Sequence, residues 1–158
     1  MSIKSNNAKS KKDRHDNISN TTINSKRVVA GYTVAEWDET WNPIGCLKTV
    51  DLMPYKHCVG LYMLSIDDKI VYVGRAIELN NGGILKRLTD YRRKSDIGRK
   101  SKSGKLIFNN LDKIVTDILI VGNTKEAIET TKTLEKIFIS KYHPEWNAIY
   151  VYNKQTNK

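Results

Sequence analysis

Glu135 is a carboxylate on a stripe that is otherwise apolar. At helical spacing it shares a face with Ile128, Ile139 and Tyr142. A carboxylate so placed either sits at the rim of the core in a salt bridge or holds a cation. Beside a basic segment it suits a hard, oxygen-loving ion such as magnesium. Arg87 falls on the helical face of Ile84 and Tyr91, so its stem leans toward the core. A guanidinium there can grip a phosphate through two hydrogen bonds and stabilise developing negative charge; one solvated arginine among many is the plainer reading. Tyr62 and Tyr72 stand ten residues apart, a spacing that puts them on neighbouring strands of a hairpin with both hydroxyls near one site. A phenol close to a cation and arginines is expected to ionise more readily than a free one, and could take a proton from an attacking water. Two core tyrosines are the bland alternative. His57 and His143 are isolated, and no Ser-His-Asp set or His/Cys metal cluster is visible.

The positive charge is concentrated. Between Lys86 and Lys105 nine basic residues (Lys86, Arg87, Arg92, Arg93, Lys94, Arg99, Lys100, Lys102 and Lys105) stand against Asp90 and Asp96. So dense a run suits a phosphate backbone.

The elements that must position these residues follow from periodicity and turn chemistry. Cys58–Ser65 and Lys69–Arg75 are two apolar, β-branched runs flanking an Asp67-Asp68 turn, which predicts a hairpin. The Asn80-Asn81-Gly82-Gly83 loop leads into Ile84, Leu85, Leu88 and Tyr91 at helical spacing. A flexible basic link, a short helix over Leu106–Leu111 and a third strand over Thr116–Val121 come next. Asn123 with Glu126 reads as a capping box for a helix that runs to about Lys141, where His143-Pro144 stops it. Upstream, Arg27–Val34 has strand character. Glu36–Pro54 reads as a short strand or irregular layer, with Trp37 and Trp41, like the distant Trp146, assigned to the core. Residues 1–26 are rich in Ser, Asn, Lys and Thr and are expected to form a disordered basic arm. The remainder, 27–158, reads as a single small α+β domain.

The 158 residues carry a formal charge of +10, and the isoelectric point is about 9.6. Both favour a polyanionic partner, nucleic acid ahead of an anionic membrane. No run reaches the roughly 18–20 apolar residues of a membrane span. The N-terminus has no apolar signal core, and Cys46 and Cys58 have no metal-binding or disulfide spacing. The expected setting is the cytoplasm.

Gly60-Leu61-Tyr62, Tyr72-Val73-Gly74, Arg75, Arg87 with Tyr91 four residues later, Glu135, and Asn147 after a proline occur in that order between residues 59 and 147. In this the chain resembles the GIY-YIG nuclease superfamily, and its compact layout looks most like the small phage and type II restriction endonucleases of that group. Leu61 and Val73 replace the isoleucines of the motif name, and the Asn80–Gly83 loop lengthens the path to Arg87. The resemblance implies a three-stranded antiparallel sheet flanked by helices, and hydrolysis of double-stranded DNA with one Mg2+ (or Mn2+) per active site. It implies that Glu135 binds the metal and Arg87 stabilises the phosphate. Tyr62 would be the general base or position the water, with Tyr72 beside it. Tyr91 would occupy a position taken by His or Tyr, Asn147 would fix the end of the site, and Arg75 would contact phosphate. The likeness points to sequence-selective cutting in restriction or in degradation of host DNA by a phage. A structure-specific repair nuclease and a non-catalytic DNA-binding module are the alternatives. A symmetric target would favour a homodimer or homotetramer.

Overall fold

Along Val59–Ile66 every residue but the last is buried, which requires a layer on each side of the strand. The computed structural model describes residues 25–94 and 101–147 and shows those layers. The elements are β1 (Val28–Val29), β2 (Tyr32–Thr33), α1 (Val34–Asp38), β3 (Asn42–Cys46), a 3-10 turn (Met53–Tyr55), β4 (Val59–Ile66) and β5 (Lys69–Ala76). After them come α2 (Gly83–Arg92), α3 (Lys102–Asn109), β6 (Val115–Gly122) and α4 (Lys125–Tyr142). The α+β class is as expected. The main sheet is antiparallel with order β3-β6-β4-β5, and β1 and β2 form a separate ribbon.

Period-two alternation sends β4 side chains into two cores. Leu61 and Met63 pack with Val34, Trp41, Leu134 and Phe138, under α4. Tyr62 and Leu64 pack with Ile84, Leu88, Ile107 and Trp146, under α2 and α3. Trp41 and Phe138 are fully buried and meet edge to face at 5.5 Å between ring centroids. Full burial of such a side chain contributes about 1.5–3 kcal/mol. Trp37 is half-buried and donates from Nε1 to the Val29 carbonyl, so the tryptophans serve the core.

The expected three-stranded sheet has a fourth strand. Asn42–Cys46 pairs with β6, although Pro43 and Gly45 argue against a strand. The lateral position tolerates them: β3 is an edge, and the register shifts between Pro43 and Gly45. The 27–34 run is also not one strand. It turns at Ala30 and Gly31, both at positive φ, and Val34 already belongs to α1. Thr33 and Glu36 form a reciprocal capping box that starts this short helix. The helix expected over Leu106–Leu111 begins earlier, at Lys102, because the Ser101 hydroxyl caps Gly104 N at 3.0 Å. At α4 the cap is Thr124, accepting from Ala127 N, rather than Asn123. The helix ends at Tyr142, with His143 in the left-handed region before Pro144.

One buried polar cluster sets the pose of α4. Asp38 accepts from Trp41 Nε1 at 3.0 Å and from the Tyr142 hydroxyl, and pairs with Lys141 Nζ at 2.7 Å. Removing one member of such a buried pair typically costs about 3–5 kcal/mol. Glu135 lies two turns before Tyr142 on this anchored helix.

Candidate active site

β5 is a sheet edge, and its outward backbone groups are where the candidate residues gather. Tyr62 pairs across from Gly74, and Tyr72 across from Leu64, so both phenols lie on the α2 side. Arg87 comes from α2 and donates from Nε to the Arg75 carbonyl on the edge at 3.3 Å. Glu135 comes from α4, on the opposite side, and reaches Arg75 Nη1 at 3.4 Å. Groups from both layers thus meet around one edge. They line an open cleft of about 490 Å³ with Tyr62, Tyr72, Arg75, Lys86, Arg87, Asp90, Tyr91, Ser101, Ser103 and Glu135 on its walls.

The three phenols form a graded set. The Tyr62 and Tyr91 hydroxyls are 2.6 Å apart and hydrogen-bonded in the buried floor. Tyr72 is partly exposed, its ring centroid 6.1 Å from that of Tyr62. Burial pushes all three phenols up from the ordinary value, and it outweighs the opposing pull of Arg87. The shift in the metal-free protein runs opposite to that expected for a phenol beside a bound cation. In the free protein these groups are neutral donors and acceptors, and Tyr72 is the one that opens toward solvent.

Glu135 is shifted in the same direction. Burial raises its carboxyl above the usual range, against the opposing influence of Arg75, Arg87 and Lys136. A carboxylate that burial penalises despite three neighbouring cations is one that a further cation would stabilise. No group of three or more His, Cys, Asp or Glu side chains that could hold a metal occurs among the described residues. Magnesium does not need one, since it commonly takes one or two carboxylates and completes its shell with water and substrate phosphate. Glu135 fits that manner of binding.

No family model, curated protein or solved structure matches this chain.

The cleft brings together Tyr62, Tyr72, Tyr91, Arg75, Lys86, Arg87 and Glu135 of the residues expected from sequence. Two expected members stand elsewhere. Asn147 does not line the cleft: its carboxamide accepts from Val73 N and donates to Val73 O, both at 2.9 Å. It acts as a one-residue partner for the exposed edge. Arg92, expected on DNA, is turned inward. Its Nε donates to Leu47 O at 2.7 Å and its Nη2 to Val50 O at 2.6 Å, tying the β3 exit to α2. Arg93, Lys94, Lys102 and Lys105 are exposed, as a phosphate-tracking surface requires. Lys86 pairs with Asp90 at 3.0 Å on the cleft wall. Arg99, Lys100 and all of the 1–26 arm but its last two residues lie outside the described residues.

Asp90, Ser101 and Ser103 are wall residues that sequence reasoning missed. Asp90 had a signal, because it stands four residues after Lys86 on the same helix face. For the serines the signal was the Ser101 cap, which moves the start of α3 to the cleft.

Proposed function

We propose that this chain is a divalent-metal-dependent endonuclease of the GIY-YIG type that hydrolyses phosphodiester bonds in double-stranded DNA. The observation that carries the reading is the convergence itself. Two glycine–tyrosine strands, an arginine from α2 and a carboxylate from α4 meet in one solvent-open cleft at the sheet edge. A purely phosphate-binding surface has no use for a half-buried carboxylate between two arginines. Exposed Arg93, Lys94, Lys102 and Lys105 add positive charge just after α2 and on α3, as a duplex backbone requires.

Each residue then has a task. Arg87 and Arg75 hold non-bridging phosphate oxygens and stabilise the charge that grows on them. Glu135 holds Mg2+ or Mn2+, which when bound supplies Lewis-acid polarisation of the phosphate. Tyr72, at the open side, accepts a hydrogen bond from the attacking water and orients it. Tyr62 and Tyr91 back it with a fixed hydrogen-bonded pair. Lys86 contributes charge at the rim. A symmetric duplex target would be met by two or more copies of the chain.

The test is cleavage with magnesium of a plain duplex and of branched and flapped DNA of the same sequence. Discrete products from the plain duplex support the reading. Cutting confined to the junctions would assign a structure-specific nuclease. Binding without cutting in either divalent metal would leave a DNA-binding module.

A further inference from the structure

Glu78, between β5 and α2, touches Arg87 from behind the cleft. Its position is fixed three times over. Oε2 accepts from Ile77 N at 3.1 Å, and its own carbonyl accepts from Gly83 N at 3.0 Å and Asn81 N at 3.2 Å. Oε1 lies 3.7 Å from Arg87 Nη2, while Arg87 Nε donates to the Arg75 carbonyl at 3.3 Å. These contacts engage the Nε–Nη2 edge of a rigid fork with five N–H donors. Neither contact uses Nη1, and Arg87 lines the cleft together with Tyr62, Tyr72 and Tyr91. We propose that Glu78 is a positioning residue that aims Arg87 at a phosphate in the cleft.

The carboxylate has a second effect. Arg87 also exerts an attraction on the Glu135 carboxylate. Were Arg87 to swing onto it, both the phosphate-holding cation and the metal-holding carboxylate would be withdrawn together. Glu78 offers Arg87 a counter-charge from a residue that does not line the cleft. The proposal rests on the endonuclease reading for what Arg87 does, though not for how Arg87 is held.

Glu78→Ala is expected to lower kcat for DNA cleavage by roughly tenfold to a hundredfold, the usual consequence of loosening a positioned group, with KM little changed. Glu78→Gln keeps a single acceptor oxygen, enough for Ile77 N or for Arg87 but not both, and removes the counter-charge, so its rate is expected to fall between those of the wild type and Glu78→Ala. The independent readout is the Arg87 Nε–Hε NMR signal, assigned through its absence in Arg87→Lys. It is expected to be rigid in the wild type and mobile in Glu78→Ala, with Glu78→Gln between the two. A signal equally rigid in Glu78→Ala would overturn the proposal, whatever happens to the rate. Loss of rigidity in a protein that cuts no DNA at all would support the positioning by Glu78 and sink the endonuclease reading instead.

Discussion

The side chain of Tyr62 lies directly over Gly74. A Cβ placed on Gly74 would stand 2.3 Å from both the Tyr62 hydroxyl and its ring carbon Cζ, well inside van der Waals contact. The glycine of one strand is therefore the space in which the tyrosine of the next one sits, and Gly60 is confined in the same way by the Leu119 carbonyl at 2.1 Å.

Gly74→Ala should displace the Tyr62 ring and destabilise the fold by about 1–3 kcal/mol, as overpacking of a core does. The Tyr62→Leu/Gly74→Ala pair should lose less stability than the sum of the single changes, because the smaller side chain vacates the contested space. Urea unfolding midpoints measure both. Additive losses would show that the two positions do not compete.

Much of this arrangement was legible in the chain, and the reasons it stopped being so are physical. Tyr62, Tyr72, Arg87 and Glu135 each lie on a strand or helix with strong periodicity, so their faces could be read locally. The Val28–Thr33 ribbon could not, because its turn places Ala30 at positive φ, which an alanine does not advertise. Pro43 and Gly45 hide β3, since only the edge position makes them acceptable. The inward turn of Arg92 and the clamp of Asn147 on Val73 are long-range contacts with backbone atoms, which carry no sequence signal. For the phenols, charge neighbours could be guessed from sequence but burial depth could not.

Glu135 is expected to weaken the fold at neutral pH. Its folded pKa is raised by burial, so the carboxyl binds its proton more tightly in the native state than in the unfolded one. Its contribution is fully present below the ordinary carboxylate value and is lost as pH rises through the raised one. Glu135→Gln should therefore melt higher than the wild type at neutral pH, with the gap closing in acid below the carboxylate range. Magnesium should raise the melting temperature of the wild type and not that of Glu135→Gln, since a ligand that binds only the native state stabilises it. Equal melting curves at neutral pH would contradict the burial argument.

Arg92 and the exposed lysines should separate cleanly. Arg92→Ala leaves the carbonyls of Leu47 and Val50 without their charged donor and should cost about 1–3 kcal/mol of stability. It should leave the salt dependence of DNA binding unaltered. Lys102→Gln and Lys105→Gln should do the reverse, each lowering the slope of log affinity against log salt by about 0.9 where a phosphate contact is lost. Binding titrations at several salt concentrations, beside thermal melts, distinguish the two patterns.

Alkaline titration followed by tyrosinate absorbance should resolve the buried phenols. Of the eight tyrosines, Tyr62, Tyr72, Tyr91 and Tyr142 are all pushed up by burial. They should stay protonated after an ordinary phenol has ionised; Tyr62, Tyr91 and Tyr142 should titrate only as the fold opens, and the partly exposed Tyr72 before them. Raised folded values mean that their contribution to stability is lost as pH climbs through them. Full titration at the ordinary phenol value, with native circular dichroism, would contradict the buried floor of the cleft.

The most direct measurement is cleavage of supercoiled plasmid by the wild type, Glu135→Ala and Arg87→Ala, with magnesium and with a chelator, alongside DNA binding of all three. The expected result is magnesium-dependent cutting by the wild type alone, with binding retained in both variants. Variants that cut as fast as the wild type would show that the cleft between β5, α2 and α4 is not the active site.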